Sequence, residues 1–142
     1  MNVFNIENAF RLKMERRWDR IYVVVDAHGT LIKPRQNTIE IYPPAVEVMR
    51  WFNSRHDIST ILWTSTHQPD LSKIILACEE LNFGFNSVNH NTNEPNTELS
   101  CFDQKFYFNI LLDDKAGFEP ETDWDLIKLE LMRIGEWNKL LL

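Results

Sequence analysis

The sequence predicts a single Rossmann-like α/β domain, a three-layer sandwich with a central parallel sheet of about four strands and no cap domain. Residues 21–25 read Ile-Tyr-Val-Val-Val, and such a continuous β-branched run is typical of a strand buried on both faces. Further along, strand-like runs alternate with amphipathic segments, which favours parallel strands joined by right-handed crossovers. The chain of 142 residues has the length of one domain, so residues 1–142 are expected to fold together.

The composition predicts a globular, soluble protein. Hydrophobic residues make up 44% of the chain and aromatic residues 12%, enough for a packed core. The net charge of -6 argues against a broad surface for polyanions. No apolar run is long enough to cross a bilayer and residues 1–20 lack a secretory signal, so we expect a cytoplasmic protein without membrane contact. The spacing of Cys78 and Cys101 matches no zinc or redox signature, which predicts reduced thiols.

Residues 1–20 are predicted to form a helical extension, because residues 5–20 carry apolar side chains among charged ones as an amphipathic helix does. Four basic residues cluster on this extension: Arg11, Lys13, Arg16 and Arg17. A solvated helix face explains such a cluster. The alternative is a contact with a phosphate backbone, which requires the cluster to lie on the same side of the protein as the functional site.

The first strand ends at Asp26, beside a turn. Gly29 lets the chain bend sharply there, and residues 30–42 are predicted to form a short, polar flap. The flap ends at residues 43–44, two prolines that can begin a helix. The apolar spacing that follows predicts a crossover helix over residues 45–53.

A second strand-helix unit follows. Residues 59–63 predict a strand that ends in the polar residues 64–66. Asp70 or Ser72 can cap a helix that runs to about Leu81.

The remaining elements complete the sheet. Residues 84–88 predict a weaker third strand, and residues 89–97 are rich in Asn and predict a loop. Residues 106–112 predict the fourth strand, which runs into two aspartates. Apolar positions over residues 123–142 predict a closing helix.

Polar side chains follow three of these strands where each strand ends, namely Asp26, Thr64 and Asp113. In open α/β sheets, ligands bind beyond the carboxyl ends of the strands. The sequence therefore predicts that these three residues meet at one edge of the sheet and form a binding site.

The motifs around these residues resemble those of the haloacid dehalogenase superfamily of phosphohydrolases, in its small capless form. Residues 26–31 read Asp-Ala-His-Gly-Thr-Leu, close to the family motif Asp-x-Asp-Gly-Thr. Thr64 matches the Ser or Thr of the second motif, Lys105 matches the Lys of the third, and residues 113–114 match the acidic pair of the fourth. The resemblance covers residues 20–118 and implies the fold of that superfamily.

The resemblance implies a Mg²⁺-dependent phosphatase, a phosphomonoester hydrolase that forms an aspartyl-phosphate on Asp26. A carboxylate nucleophile divides the hydrolysis into two easier steps, and Mg²⁺ prefers oxygen ligands. The implied catalytic residues are Asp26, His28, Thr64 and Lys105. The implied metal ligands are Asp26, the backbone carbonyl of His28, Asp113 and Asp114. The implied phosphate-binding residues are Gly29, Thr30, Thr64, Ser65 and Lys105.

Each of these residues has a plainer structural interpretation. Asp26 can be a turn residue, Thr64 can start a helix, and residues 113–114 can begin a surface turn. Lys105 can be a solvated side chain of a polar loop. Three asparagines in and just before the Asn-rich loop can simply form turns: Asn86, Asn89 and Asn91.

The chain departs from the family motif at His28, where the superfamily usually has a second Asp that protonates the leaving oxygen. Imidazole can serve as a general acid and base near neutrality, so an active enzyme remains the first interpretation. The alternative is a catalytically impaired phosphate-binding protein of the same fold.

The absence of a cap predicts an open site. Such a site can accept a phosphorylated small molecule such as a nucleotide, or the end of a nucleic acid. His67, Asn89 and the basic N-terminal cluster are candidates for contacts with the leaving group. A neighbouring subunit in an oligomer is one way to cover the site.

Overall fold

The computed structural model describes residues 3–34 and 37–139. Four helices and four strands follow one another in the order α1 (Ile6–Glu15), β1 (Ile21–Asp26), α2 (Pro43–Ser54), β2 (Ile58–Trp63), α3 (Asp70–Glu80), β3 (Ser87–Val88), β4 (Ile110–Leu112) and α4 (Asp123–Arg133). In the described part of the chain, no helix combines the length and the apolar character that crossing a membrane requires. Both cysteines are free thiols, as predicted, with Cys78 buried and Cys101 exposed.

The four strands form one parallel sheet in the order β3-β2-β1-β4. Strand β1 is central, and it pairs with β2 from Ile21↔Ile58 to Asp26↔Trp63. The chain winds outward from β1 through β2 to β3 and then returns to place β4 on the other side of β1. This reversal puts a topological switch point at the carboxyl ends of β1 and β4, where such folds bind ligands. The predicted Rossmann-like α/β fold is confirmed.

The two faces of the sheet are covered by different parts of the chain. Side chains of a strand point alternately to opposite faces, and Ile21, Val23 and Val25 pack into the main core with buried residues of all four helices. Tyr22 and Val24 face the other way, where they form a second cluster with Ile61. The second face is covered by aromatic residues of the chain that precedes β4: Phe106, Tyr107 and Phe108.

The aromatic segment corrects the predicted fourth strand. Only Ile110–Leu112 pairs with β1, and residues 106–108 lie across the face of the sheet. The ring of Tyr107 meets that of Tyr22 edge to face, with centroids 5.9 Å apart. The backbone N–H of Tyr22 donates to Asn109 Oδ1 at 2.8 Å, which anchors the segment beside β1. A short apolar run is compatible with a strand of the sheet and with an irregular segment that packs on the face of the sheet. The hydrophobic pattern alone therefore did not distinguish these two structures.

Several predicted element boundaries also change. Helix α1 ends at Glu15, before Arg17 adopts a left-handed φ of 55°. Helix α4 ends at Arg133, and Gly135, with a φ of 79°, turns the chain away. Residues 140–142 of the predicted closing helix lie outside the described residues. The third strand is reduced to Ser87–Val88.

The flap after β1 is less polar than predicted. Its two ends are buried in the main core through Leu31, Ile32, Ile41 and Tyr42. The N–H of Tyr42 donates to the carbonyl of Leu31 at 3.0 Å, so the two ends of the flap lie side by side. The flap therefore anchors the turn after Asp26 to the core.

Candidate functional site

The site begins with Asp26, the last residue of β1. Its half-buried side chain lies on the same face of the sheet as Val24. The following residue continues the ladder, since the N–H of Ala27 donates to the carbonyl of Trp63 at 3.2 Å. Paired strands on both sides of β1 hold Asp26 at the switch point.

Strand β4 brings two more carboxylates to the same place. One oxygen of each of Asp26, Asp113 and Asp114 lies within 4.8 Å of the others. Within residues 3–34 and 37–139, none of the three forms an ion pair with a basic side chain. Burial, the negative charge of Asp113 and the hydrogen bond with Asp114 raise the pKa of Asp26 to about 7. The cluster thus concentrates negative charge that no ion pair within residues 3–34 and 37–139 neutralises.

This donor set fits a divalent cation such as Mg²⁺. The candidate side-chain donors are all carboxylate oxygens, which hard cations prefer. Asp113 is held in place because its Oδ1 accepts the N–H of Lys115 at 2.9 Å. Asp114 is exposed, so the cluster opens toward solvent on one side. The backbone carbonyl of His28 remains a predicted ligand.

Thr30 joins the two acidic segments. Its hydroxyl donates to Asp26 Oδ2 at 3.3 Å and accepts the N–H of Asp114 at 2.9 Å. Its carbonyl accepts Trp124 Nε1–H at 2.9 Å, which ties the turn to α4. Thr30 is fully buried and its hydroxyl is engaged on both sides, so it positions the two carboxylates. Its contact with phosphate remains a prediction.

Gly29 leaves room for Asp114. Its φ is 85°, in the left-handed region, and a Cβ at this position would lie 2.5 Å from Asp114 Oδ2. A side chain at position 29 would therefore displace that carboxylate from the cluster. The glycine serves both the turn and the acidic cluster.

We expect Gly29→Ala to weaken Mg²⁺ binding by about tenfold, the lower end of what disturbing the support of a metal ligand costs. Gly135→Ala is the matched control, since Gly135 has a similar φ of 79° but no neighbouring atom within 4 Å of the position that a Cβ would take. Both variants should lose about 1–2 kcal/mol of stability through left-handed strain. Titration calorimetry and thermal unfolding separate the two effects, and equal Mg²⁺ affinities of the two variants would refute the role of Gly29.

The second motif is held by Asn89. The N–H of Thr64 donates to Asn89 Oδ1 at 2.8 Å, and Asn89 Nδ2 donates to the carbonyl of Thr64 at 2.7 Å. Asn89 itself follows β3 with a left-handed φ of 55°. Its amide thus bonds to Thr64 at both ends and positions that residue. A contact of Asn89 with a leaving group remains a prediction. Asn86 Oδ1 likewise accepts the N–H of Thr60, and Asn91 Nδ2 donates to the carbonyl of Tyr107, so both asparagines bind backbone groups that are distant in the sequence.

A cleft of about 410 Å³ opens beside the acidic cluster. Its lining residues are Asp26, Trp63, Thr64, Ser65, Asn89, Asp113 and Lys115. The structure therefore brings together the predicted first, second and fourth motifs.

Lys105 is not in this cleft. It lines a separate cavity with Phe102 and Phe108, because the chain before β4 crosses the face of the sheet. The cation that lines the cleft is Lys115, which sequence reasoning missed. Its position one residue after the acidic pair was the available signal.

The two candidate histidines lie outside the cleft. His28 is exposed, and it contacts the flap through a backbone bridge with Ile32. Its imidazole makes no hydrogen bond with any described residue. His67 is also exposed and precedes α3.

The basic N-terminal cluster lies at the opposite edge of the sheet. Lys13 forms an ion pair with Asp57 at 3.2 Å, and Asp57 immediately precedes β2. Arg11 pairs with Glu15 on its own helix. Strand β1 runs from Ile21 at this edge to Asp26 at the other, a length of about 16 Å. The basic cluster is therefore not on the same side of the protein as the acidic site, which a shared contact with a nucleic acid would require.

Fold and site together define a Rossmann-like α/β protein with an acidic cluster at its topological switch point. The chain is similar to a solved structure, described as a conserved protein coded by a locus of Bacteroides thetaiotaomicron, with a TM-score of 0.63 and 26% identity. The similarity covers 81% of this chain and 91% of that one. No protein-family model and no curated protein matches the chain.

Proposed function

We propose that the protein is a Mg²⁺-dependent phosphomonoester hydrolase, as its resemblance to the haloacid dehalogenase superfamily implies. The observation that carries the proposal is the meeting of Asp26, Asp113 and Asp114 at the switch point, beside a cleft with one lysine. The cleft has the volume of a small-molecule site. The basic cluster lies at the other edge of the sheet, so a phosphorylated small molecule is a better substrate than a nucleic-acid end.

In the proposed reaction, a carboxylate oxygen of Asp26 forms a bond to phosphorus while the bond from phosphorus to the ester oxygen breaks. Bound Mg²⁺ would supply the positive charge that keeps Asp26 ionised and offsets its repulsion from the phosphoryl oxygens. Asp113 and Asp114 would hold the ion. Lys115 and the groups of Thr64 and Ser65 would hold the phosphoryl oxygens. The ester oxygen leaves as an alkoxide that takes a proton from water. A second water then attacks phosphorus, which breaks the bond to Asp26, regenerates the carboxylate and releases inorganic phosphate.

The assay that tests this function is release of inorganic phosphate from a panel of phosphomonoesters. The proposal expects release that requires Mg²⁺ and stops when EDTA is added. A panel without any Mg²⁺-dependent release would contradict it.

Lys115 and Lys105 can be compared directly. A hydrogen bond to a charged group contributes about 1.5–3 kcal/mol, so Lys115→Ala should lower kcat/KM by about tenfold to a hundredfold. Lys105→Ala should change kcat/KM by less than about twofold, since exposed loop side chains usually contribute little. The opposite ranking in steady-state kinetics would return the phosphate-binding role to Lys105.

A second candidate function is a phosphate-binding protein without turnover. The observation that favours it is the exposed position of His28, outside the cleft. In that case the wild type would bind a phosphate analogue with Mg²⁺ but release no phosphate, and His28→Asp would create activity. An active wild type whose rate survives His28→Asn would instead show that turnover does not depend on this imidazole.

A further inference from the structure

Trp63 is an exposed aromatic residue beside the acidic cluster. It is the last residue of β2 and is 41% exposed, although large apolar side chains usually lie in the core. In the parallel ladder it is the register partner of Asp26. It also lines the cleft. An indole ring therefore stands at the strand position next to the proposed nucleophile.

The two side chains lie on the same face of the sheet. Alternation along β2 places Trp63 on the face of Ile61, and alternation along β1 places Asp26 on the face of Val24. Phe106 packs against Trp63 from the aromatic segment, with ring centroids 5.4 Å apart and planes at 58°. The indole is thus supported by a second ring while 41% of the residue remains accessible.

We propose that Trp63 forms an aromatic wall that binds the leaving group, and that the cleft takes aryl phosphates, in which the phosphate is carried directly on an aromatic ring. This inference rests on the proposed function. Adjacent strands lie about 4.8 Å apart, so the indole of Trp63 is within reach of a ring bonded to the ester oxygen of a phosphate held at Asp26. A ring held at the end of a longer linker would pass beyond it.

The chemistry of the cleft fits the same class. Among the described lining residues there is no imidazole, and the only carboxylates belong to the acidic cluster. A phenolic oxygen has a reference pKa near 10 and leaves as phenolate more readily than an alkoxide does. Asp26 displaces phenolate, which takes a proton from water, and a second water hydrolyses the aspartyl-phosphate. The balance is aryl phosphate plus water giving phenol plus inorganic phosphate.

The test compares two non-hydrolysable probes, phenylphosphonate and methylphosphonate, which share the head group and differ in the ring. With Mg²⁺ present, calorimetry should show phenylphosphonate binding about tenfold more tightly to the wild type, the size of one good stacking contact. Trp63→Leu should remove this preference, and Trp63→Phe should retain most of it. Trp18→Leu is the control, since Trp18 lies before β1 at the opposite edge of the sheet, and it should keep the full preference.

Equal affinities of the wild type for the two probes, or a preference that survives Trp63→Leu, would overturn the aromatic wall. Binding of adenosine 5′-monophosphate without any preference for phenylphosphonate would overturn the aryl class. Failure to bind either phosphonate would instead overturn the phosphoryl site itself. The same variants assayed with phenyl phosphate and glycerol phosphate should show the loss in kcat/KM for the aryl ester alone.

Discussion

Asp26→Asn is expected to abolish turnover and, at the same time, to stabilise the metal-free protein. The amide cannot attack phosphorus, and loss of a nucleophile lowers kcat by at least about a thousandfold. The same change removes a negative charge that burial and two neighbouring carboxylates disfavour. Loss of activity together with a gain in stability would indicate that the Asp26 carboxylate serves the reaction and destabilises the folded protein.

The stability gain should depend on pH in a defined way. The pKa of Asp26 is raised from 3.8 to about 7 in the folded protein, so the folded state takes up a proton here as the pH falls below 7. The contribution of Asp26 to stability is therefore most favourable near pH 4 and is lost as the pH rises to about 7. Thermal unfolding without metal should show the advantage of Asp26→Asn growing from pH 5 to pH 8.

Asp19→Asn provides the control, because Asp19 is an exposed residue at the other edge of the sheet. It should leave both the activity and the pH dependence of stability unchanged. An Asp26→Asn protein with near wild-type activity would remove Asp26 from the chemistry. A variant that is less stable than the wild type at pH 8 would contradict the electrostatic argument.

The second large effect is expected at Asp113. Asp113→Asn keeps an Oδ1 that can accept the N–H of Lys115, whereas Asp113→Ala would also remove this cap. The Asn variant therefore isolates the loss of charge. Mg²⁺ affinity should fall by about a hundredfold or more, since even changes to groups that support a ligand cost about 10- to 100-fold.

Mg²⁺ and the proton compete for the same carboxylates. Wild-type affinity for Mg²⁺, measured by titration calorimetry, should therefore rise from pH 6 to pH 8 as Asp26 loses its proton. Asp114→Asn serves as the comparison, because Asp114 is the exposed member of the cluster. Unchanged affinity in Asp113→Asn with a large loss in Asp114→Asn would remove Asp113 from the ligands and leave Asp114 as the carboxylate of this pair that holds the ion.

The strands could be predicted where the hydrophobic pattern of the sequence fits a strand and no other kind of element. The run of β-branched residues in β1 is too apolar for a surface position and is followed by a turn, so the strand and its burial on both faces were predicted correctly. The run before β4 is equally apolar, yet Phe106 and Phe108 cover the sheet and do not extend it. The difference depends on contacts with Tyr22 and Ile61, which are distant in the sequence.

The site was predictable to the extent that it depends on strand ends. Asp26, Thr64 and Asp113 meet because parallel strands end at one edge of the sheet. Lys105 was predicted to lie in the cleft and does not, because a match to a sequence motif does not determine the path of the loop that carries the residue. The positioning contacts of Thr30 with Trp124 and of Asn89 with Thr64 span 94 and 25 residues, and no local pattern indicates them.

The most direct test of the account is a crystal structure of the protein with Mg²⁺ and BeF₃⁻, a mimic of a phosphoryl group bonded to a carboxylate. The account predicts beryllium bonded to a carboxylate oxygen of Asp26, Mg²⁺ ligated by Asp26, Asp113 and Asp114, and Lys115 against a fluorine atom. Density for Mg²⁺ and BeF₃⁻ at another place in the protein, with Asp26 unmodified, would contradict it.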